Sequence, residues 1–230
     1  MSVGPLVRTE RLQVGRTALV AFLGPDGAGV PAAREVWYVL HGYAMRAAPF
    51  LESCRAIDDG SRLLVAPEAL SRFYESDLRA TSHRTAPVGA SWMTRDERES
   101  EISDYLAYLD RLHELVTARL AGAAPKITVL GFSQGGAAAA RWVATGRLAA
   151  ARLLLWGAGL PPELDLAAPD SPLRRAETVF VVGTKDVFIT PKVVEHELAR
   201  LRAAGMPFRF VGFDGGHRLD DETLRMLARE

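Results

Sequence analysis

The 230-residue sequence predicts a three-layer α/β/α fold built on a mostly parallel β-sheet, with an antiparallel hairpin at the N-terminal edge of that sheet. Short apolar runs recur along the chain, and most are continuous rather than alternating, which is typical of strands covered on both faces. Segments with helical periodicity alternate with these runs, as they do in successive βα units. The length and the 48% hydrophobic content suit a single domain, expected to span residues 1–230, with a substantial core.

The predicted strands fall into two groups. Near the N-terminus, residues 6–13 and 17–23 flank the turn-like Val14-Gly15-Arg16 and predict the edge hairpin. The parallel strands are predicted from runs rich in Val, Leu, Phe or Trp, at residues 36–40, 62–66, 127–132, 152–156, 178–182 and 207–213.

Four helices are predicted. The clearest runs from a possible capping box at residues 94–97 to about residue 122, with apolar residues at steps of three and four. The others are expected over residues 134–145, 191–204 and 220–230. Two long connections, 67–92 and 157–176, lack periodicity and follow predicted strands, where α/β folds place ligand contacts.

Charge and cysteine content narrow the function classes. The 28 basic and 28 acidic residues cancel, so no strong field favours nucleic acid or an anionic membrane surface. The chain lacks a signal-peptide pattern and a membrane-spanning apolar run, so we expect a cytoplasmic protein without stable membrane insertion. The single cysteine, Cys54, excludes an internal disulfide and a Cys-rich zinc site. Neutral small molecules are therefore the expected partners.

One motif carries nucleophilic chemistry. Gly131-Phe132-Ser133-Gln134-Gly135 has the G-x-S-x-G pattern and joins an apolar run to an Ala-rich helical segment. This is the setting of a nucleophile elbow, in which a sharp turn exposes the serine oxygen above the sheet and glycines prevent collisions on either side. The pattern alone is weak, but its strand-turn-helix setting predicts Ser133 as a nucleophile rather than an ordinary turn serine.

A serine nucleophile needs a base and a group that orients the base. His217 follows the last predicted strand through a glycine-rich turn, whereas His196 lies among charges in the middle of a predicted helix, so His217 is predicted as the base. Asp186 follows the strand at 178–182 and is the preferred orienting acid. Asp214 is the main alternative, although it would have to fold back over two glycines to reach His217.

Two backbone N–H groups are expected to stabilise the oxyanion that forms during acyl transfer. One belongs to Gln134, and the other to Tyr43 in the loop after the strand at 36–40. His41 precedes the nucleophile in the chain, and we expect it to brace this loop by hydrogen bonds rather than to act as a base.

The segment before the clearest helix contains the apolar pair Trp92-Met93. An aromatic ring beside a flexible thioether would form an adaptable wall for an acyl chain. The alternative is that both residues pack the start of the helix onto the core.

At these residues the chain resembles the phospholipase/carboxylesterase family, which includes the acyl-protein thioesterases, within the α/β-hydrolases. The segment around Ser133 is similar to that family's nucleophile motif, residues 183–186 to its acid loop, and residues 215–217 to its base loop. The resemblance covers most of the chain from residue 36 onward and implies an α/β-hydrolase fold and an enzyme without cofactor or metal.

The chain departs from the family pattern in the oxyanion loop. The family usually has His-Gly-Leu-Gly-Asp, where this chain has His41-Gly42-Tyr43-Ala44-Met45. Hydrolase chemistry survives the change, but a preference for protein thioesters does not follow.

The sequence therefore predicts a serine carboxylesterase that cleaves esters of small or medium acyl groups through an acyl-enzyme. A thioesterase or a lysophospholipase would use the same residues and stays an alternative. A non-catalytic binding protein on the same fold is the alternative from a different class.

Overall fold

The computed structural model describes residues 8–24, 33–76, 82, 84–120 and 124–230. The strands of these residues, numbered in chain order, are β1 (Val20–Leu23), β2 (Glu35–Leu40), β3 (Arg62–Pro67), β4 (Ser71–Tyr74), β5 (Val88–Ser91), β6 (Lys126–Phe132), β7 (Arg152–Trp156), β8 (Glu177–Gly183) and β9 (Arg209–Phe213). Seven of them form one sheet in the order β1-β3-β2-β6-β7-β8-β9, in which β1 is antiparallel to β3 and the other pairs are parallel.

Five helices of the described residues cover the two faces of this sheet. They are α1 (Ala47–Ser53), α2 (Arg98–Arg119), α3 (Gln134–Ala144), α4 (Pro191–Ala203) and α5 (Asp221–Ala228). One core cluster joins one face of the sheet to α2, α3 and α4, and a second joins the opposite face to α1 and α5. The sheet thus lies between two helical layers, which confirms the predicted α/β/α architecture.

All six predicted parallel strands are present within two residues of their predicted bounds, and five of them are buried on both faces over most of their length. The edge strand β9 is the exception, since only Phe213 in it is buried. The five residues of β7, for example, are all buried. Burial of each such Val, Leu or Phe side chain stabilises the fold by about 1.5–3 kcal/mol.

The prediction of an N-terminal hairpin is only partly correct. The strand β1 does form the antiparallel edge, but its partner is β3, with Val20 opposite Pro67 and Leu23 opposite Leu64. Residues 8–19 contain no strand and are mostly exposed, and residues 6–7 lie outside the described part of the chain. An alternating pattern indicates that a strand exists but not which strand pairs with it.

The helices over 134–145, 191–204 and 220–230 are confirmed within a residue or two. The prediction of a capping box before α2 is wrong. Glu97 adopts a left-handed conformation with φ of 54° and makes no cap, and the Thr94 hydroxyl and N–H both donate to Glu101 instead. The helix ends at Arg119, and residues 121–123 lie outside the described part of the chain.

Three elements of the described residues, α1, β4 and β5, were not predicted from the sequence. The helix α1 spans only seven residues, too few for a clear period, and it buries Ala47, Phe50 and Leu51. Within the connection 67–92, β4 and β5 form a separate antiparallel pair in which Ser71 lies opposite Ser91. This pair lies next to the loop after β2, through a bridge between Met45 and Ala90. No helix of the described residues is long and apolar enough to cross a membrane.

Candidate active site

Ser133 occupies a strained turn between β6 and α3. Its φ and ψ angles are 51° and −120°, a region that residues with a side chain seldom adopt, and its N–H donates to the carbonyl of Trp156 at 2.8 Å. A Cβ on Gly131 would lie 2.4 Å from the carbonyl oxygen of Gly135, and one on Gly135 would lie 2.2 Å from that of Leu40. Both glycines are therefore required by close backbone approach, as the elbow motif predicts.

Asp186 and His217 come from the ends of neighbouring strands and form a hydrogen-bonded pair. The Nδ1 of His217 lies 2.7 Å from Oδ2 of Asp186, whose side chain is 1% exposed. The other oxygen, Oδ1, accepts the backbone N–H groups of Phe188 at 2.8 Å and Ile189 at 2.9 Å. Burial alone would raise the pKa of Asp186, but the N–H groups and His217 together hold that pKa below its ordinary value. The carboxylate is thus ionised and fixed in direction.

The imidazole of His217 lies beside the turn that carries Ser133. Its ring centroid is 4.9 Å from that of Phe132, the residue before the serine. A Cβ on Gly157, which follows β7, would come within 2.8 Å of Cε1 of His217. Among the described residues, the Ser133 hydroxyl makes no hydrogen bond with His217, a contact that commonly tightens only with substrate in place.

The alternatives to this base and acid lie elsewhere. Asp214 is 79% exposed in its side chain and pairs with Lys185 Nζ at 2.6 Å. His196 is exposed on α4. The geometry therefore brings together Asp186 and His217, which the sequence preferred.

Of the two expected oxyanion donors, Gln134 directly follows Ser133, and Tyr43 lies in the loop after β2, the strand beside β6. Gln134 is the first residue of α3, where unpaired N–H groups and the helix dipole favour negative charge. Neither the Tyr43 nor the Gln134 backbone N–H donates to another group in the described part of the chain, so both are free to bind an oxyanion. The Gln134 side chain accepts the Trp92 N–H at 3.0 Å and donates to the Met93 carbonyl at 2.8 Å, which ties the elbow to the end of β5.

His41 braces the oxyanion loop, as expected. It is fully buried, Nδ1 lies 2.7 Å from the Gly42 carbonyl, and Nε2 lies 3.0 Å from the Ala69 N–H. These partners require a neutral ring with its proton on Nδ1, and burial lowers the pKa of His41.

A buried carboxylate that the sequence analysis missed supports the same loop. Glu68, 1% exposed, binds Arg46 Nε and Arg72 Nε at 2.7 Å each and accepts the Ala47 N–H at 3.2 Å. It thereby joins the residues after the oxyanion loop to the ends of β3 and β4. Only its position two residues after a predicted buried strand could have singled it out.

The Trp92 ring is not available as a substrate wall in this structure. Trp92 is 2% exposed, donates Nε1–H to the His41 carbonyl at 2.8 Å and packs edge-on against Tyr105. The structure thus favours the packing role for Trp92. Met93 is half-buried and can still contact a ligand.

A strained serine at a strand-helix junction, beside a histidine paired with a buried aspartate, defines the class of serine hydrolases. A family model described as serine hydrolase (FSH1) matches residues 37–220. The chain belongs to this family. Among the described residues, no group of three His, Cys, Asp or Glu side chains is placed to hold a metal ion.

Solved structures share the fold at low sequence identity. Acyl-protein thioesterase 2 of Zea mays superposes with a TM-score of 0.68 at 15% identity, covering 93% of this chain and 97% of that chain. The carboxylesterase of Bacillus cereus gives 0.65 at 13% identity, with 92% of both chains covered. A phospholipase/carboxylesterase of Dyadobacter fermentans gives 0.62 at 14%, covering 94% and 97%. No curated protein matches the sequence. The α/β-hydrolase fold is confirmed.

Proposed function

We propose that this serine hydrolase is a carboxylesterase that cleaves esters of small or medium acyl groups, with Ser133 as nucleophile, His217 as general base and Asp186 as the group that orients it. The observation that carries the proposal is the 2.7 Å bond between His217 and a buried Asp186 beside a serine at φ of 51°. Because Asp186 accepts a hydrogen bond from Nδ1–H of His217, Nε2 of the imidazole has a free lone pair that can take the serine proton.

In the first half-reaction, the Ser133 oxygen attacks the ester carbonyl carbon while its proton passes to Nε2 of His217. The carbonyl π electrons move to oxygen, and this oxyanion is bound by the N–H groups of Tyr43 and Gln134. When the intermediate collapses, the bond to the alcohol oxygen breaks. His217 gives its proton to that oxygen, so the alcohol leaves neutral and the acyl group remains on Ser133.

In the second half-reaction, water takes the place of the alcohol. His217 removes a proton from water as the water oxygen attacks the acyl carbon, and the same two N–H groups bind the new oxyanion. Collapse returns the proton to Ser133 and releases the carboxylic acid. No redox partner or metal takes part in this sequence.

The same residues would act on a thioester or a lysophospholipid, because these substrates differ only in the group that leaves. Small-molecule esters are the proposed partners, and the cytoplasm is the proposed location. The single cysteine supports a reducing compartment: Cys54 is unpaired and fully buried.

A fluorophosphonate probe tests the activated serine. The probe should label the wild type at Ser133, and labelling should disappear in Ser133→Ala. Turnover of nitrophenyl esters of increasing acyl length, measured beside acyl-CoA thioesters, then assigns the substrate class. Labelling at another residue, or none in a folded sample, would reject the proposal.

A further inference from the structure

We propose that Phe188, with Val187, forms the subsite for the leaving group and selects esters of bulky apolar or aromatic alcohols, an inference that rests on the proposed function. Both side chains are strongly exposed, at 70% for Phe188 and 75% for Val187, although they lie directly beside a buried carboxylate. Adjacent exposed apolar side chains next to reactive groups are typical of ligand contacts.

The Phe188 ring is held beside the catalytic histidine. Its centroid lies 4.9 Å from that of the His217 imidazole, with the two rings at 62°. Its backbone N–H donates at 2.8 Å to the carboxylate that orients His217. The carboxylate that aligns the base therefore also fixes the backbone from which this aromatic side chain extends.

The mechanism determines which part of the substrate meets Phe188. The tetrahedral carbon carries the Ser133 oxygen, the oxyanion, the leaving oxygen and the acyl group. The oxyanion points to the N–H groups of Tyr43 and Gln134, and the leaving oxygen must reach Nε2 of His217 to be protonated. Because Phe188 packs on that imidazole, it lies beside the alcohol part of the ester.

The strand order separates this subsite from the oxyanion loop. Ser133 follows β6, Tyr43 follows β2 and Phe188 follows β8, and β6 lies between the other two strands in the sheet. A second aromatic pair, in which the exposed Tyr43 stacks on the half-buried Phe73 at 5.1 Å, therefore lies on the opposite side of the nucleophile. A substitution of Phe188 should therefore leave the Tyr43 and Phe73 side chains in place.

The charges on the loops after β8 and β9, which carry Asp186 and His217, favour a substrate whose leaving alcohol is neutral. Lys185 is neutralised by Asp214 at 2.6 Å, and Arg218 pairs with Asp220 at 3.3 Å. A leaving group that carries phosphates would find no unpaired cation on these loops, since their lysine and arginine are already paired. An uncharged aromatic or branched alcohol fits the apolar pair.

The test varies the alcohol at a fixed acyl group and, separately, the acyl group at a fixed alcohol. Values of kcat/KM are measured for methyl acetate and benzyl acetate, and separately for methyl acetate and methyl hexanoate, with the wild type and Phe188→Ala. The matched control is Phe22→Ala, which removes a half-exposed ring on β1 at the edge of the sheet. We expect Phe188→Ala to lower the benzyl-to-methyl ratio about tenfold, as loss of one apolar contact does, and to leave the hexanoate-to-acetate ratio unchanged.

Any other result rejects the assignment of Phe188 to a leaving-group subsite. An equal loss on all esters would mean that Phe188 only positions His217, and a changed hexanoate-to-acetate ratio would place it beside the acyl group. An unchanged benzyl-to-methyl ratio, in a protein that is labelled by fluorophosphonate and hydrolyses methyl acetate, overturns the inference while the proposed function stands. Absence of both labelling and ester turnover in the wild type overturns both.

Discussion

Replacement of Asp186 by Asn should reduce ester turnover about ten-thousandfold by forcing the wrong tautomer on His217. The structure explains why the amide cannot avoid this. Oδ1 accepts two backbone N–H groups, from Phe188 and Ile189, so the amide must keep its oxygen there. Its NH₂ group then takes the place of Oδ2, 2.7 Å from Nδ1 of His217, and donates to it. The imidazole must carry its proton on Nε2 and can no longer accept one from Ser133.

The assay is kcat for nitrophenyl acetate together with the rate of fluorophosphonate labelling, both at pH 8. Asp214→Asn is the matched control, since it removes a carboxylate three residues from His217 that is 79% exposed and bound to Lys185. We expect the control to lose less than about tenfold, because exposed ion pairs contribute little. A similar loss in both variants, or a greater loss in Asp214→Asn, would refute the assignment of the acid.

Three further predictions concern the nucleophile, the elbow and the oxyanion loop. Ser133→Ala should fold normally and lose turnover on the order of a millionfold, and more than a tenth of the activity remaining would exclude Ser133 as the nucleophile. Gly135→Ala should lower the free energy of unfolding, measured by urea titration, by about 3 kcal/mol, because the new Cβ would lie 2.2 Å from a backbone oxygen. The control is Gly15→Ala, whose Cβ would have no atom within 4 Å, and it should change this free energy by less than about 0.5 kcal/mol. The buried, neutral His41 has a pKa below its ordinary 6.5, so the unfolded chain takes up a proton on this imidazole at a higher pH than the folded chain does. The stability that His41 contributes is therefore lost as the pH falls below 6.5, by up to about 1.4 kcal/mol per pH unit. The melting temperature of the wild type should therefore fall more between pH 7.5 and 5.5 than that of His41→Gln, and parallel curves would contradict this.

The parts of the fold that could be predicted from the sequence are those that local patterns determine. A strand buried on both faces must be apolar throughout, so β6, β7 and β8 are visible as continuous runs. The elbow is likewise local, since its two glycines and its serine lie within five residues. The preference for Asp186 over Asp214 also used only position in the chain, because Asp214 would have to fold back over two glycines to reach His217, whereas Asp186 follows a separate strand.

The features that escaped prediction depend on contacts between distant segments. Glu68 looks like any charged residue after a strand until Arg46 and Arg72 are seen around it. Trp92 has the composition of a ligand wall, but its 2% exposure is set by Tyr105 and His41, which lie 13 and 51 residues away along the chain. Phe188 is unremarkable in sequence, and only the fold places its ring on the imidazole.

The oxyanion loop shows how such contacts compensate for a local departure from a family pattern. Ala44 stands where the phospholipase/carboxylesterase pattern has its second glycine, yet the loop keeps a left-handed conformation there, with φ of 62°. A residue with a Cβ is less stable in this conformation by roughly 1–2 kcal/mol.

The neighbouring β5 holds the strained residue in place. The Ala44 N–H donates to the Ala90 carbonyl at 2.9 Å, and the Ala90 N–H donates to the Met45 carbonyl at 3.2 Å. Close approach is possible because Gly89 has no Cβ, which would lie 2.7 Å from the Ala44 backbone. The glycine missing from the loop is thus matched by one in the opposing strand, about 45 residues later in the chain.

Ala44→Gly should consequently relieve strain without changing the direction of the Tyr43 N–H. Gly89→Ala should instead displace the loop and lower kcat, with little effect on substrate binding. Equal kcat values for Gly89→Ala and the wild type would show that this strand does not support the oxyanion loop.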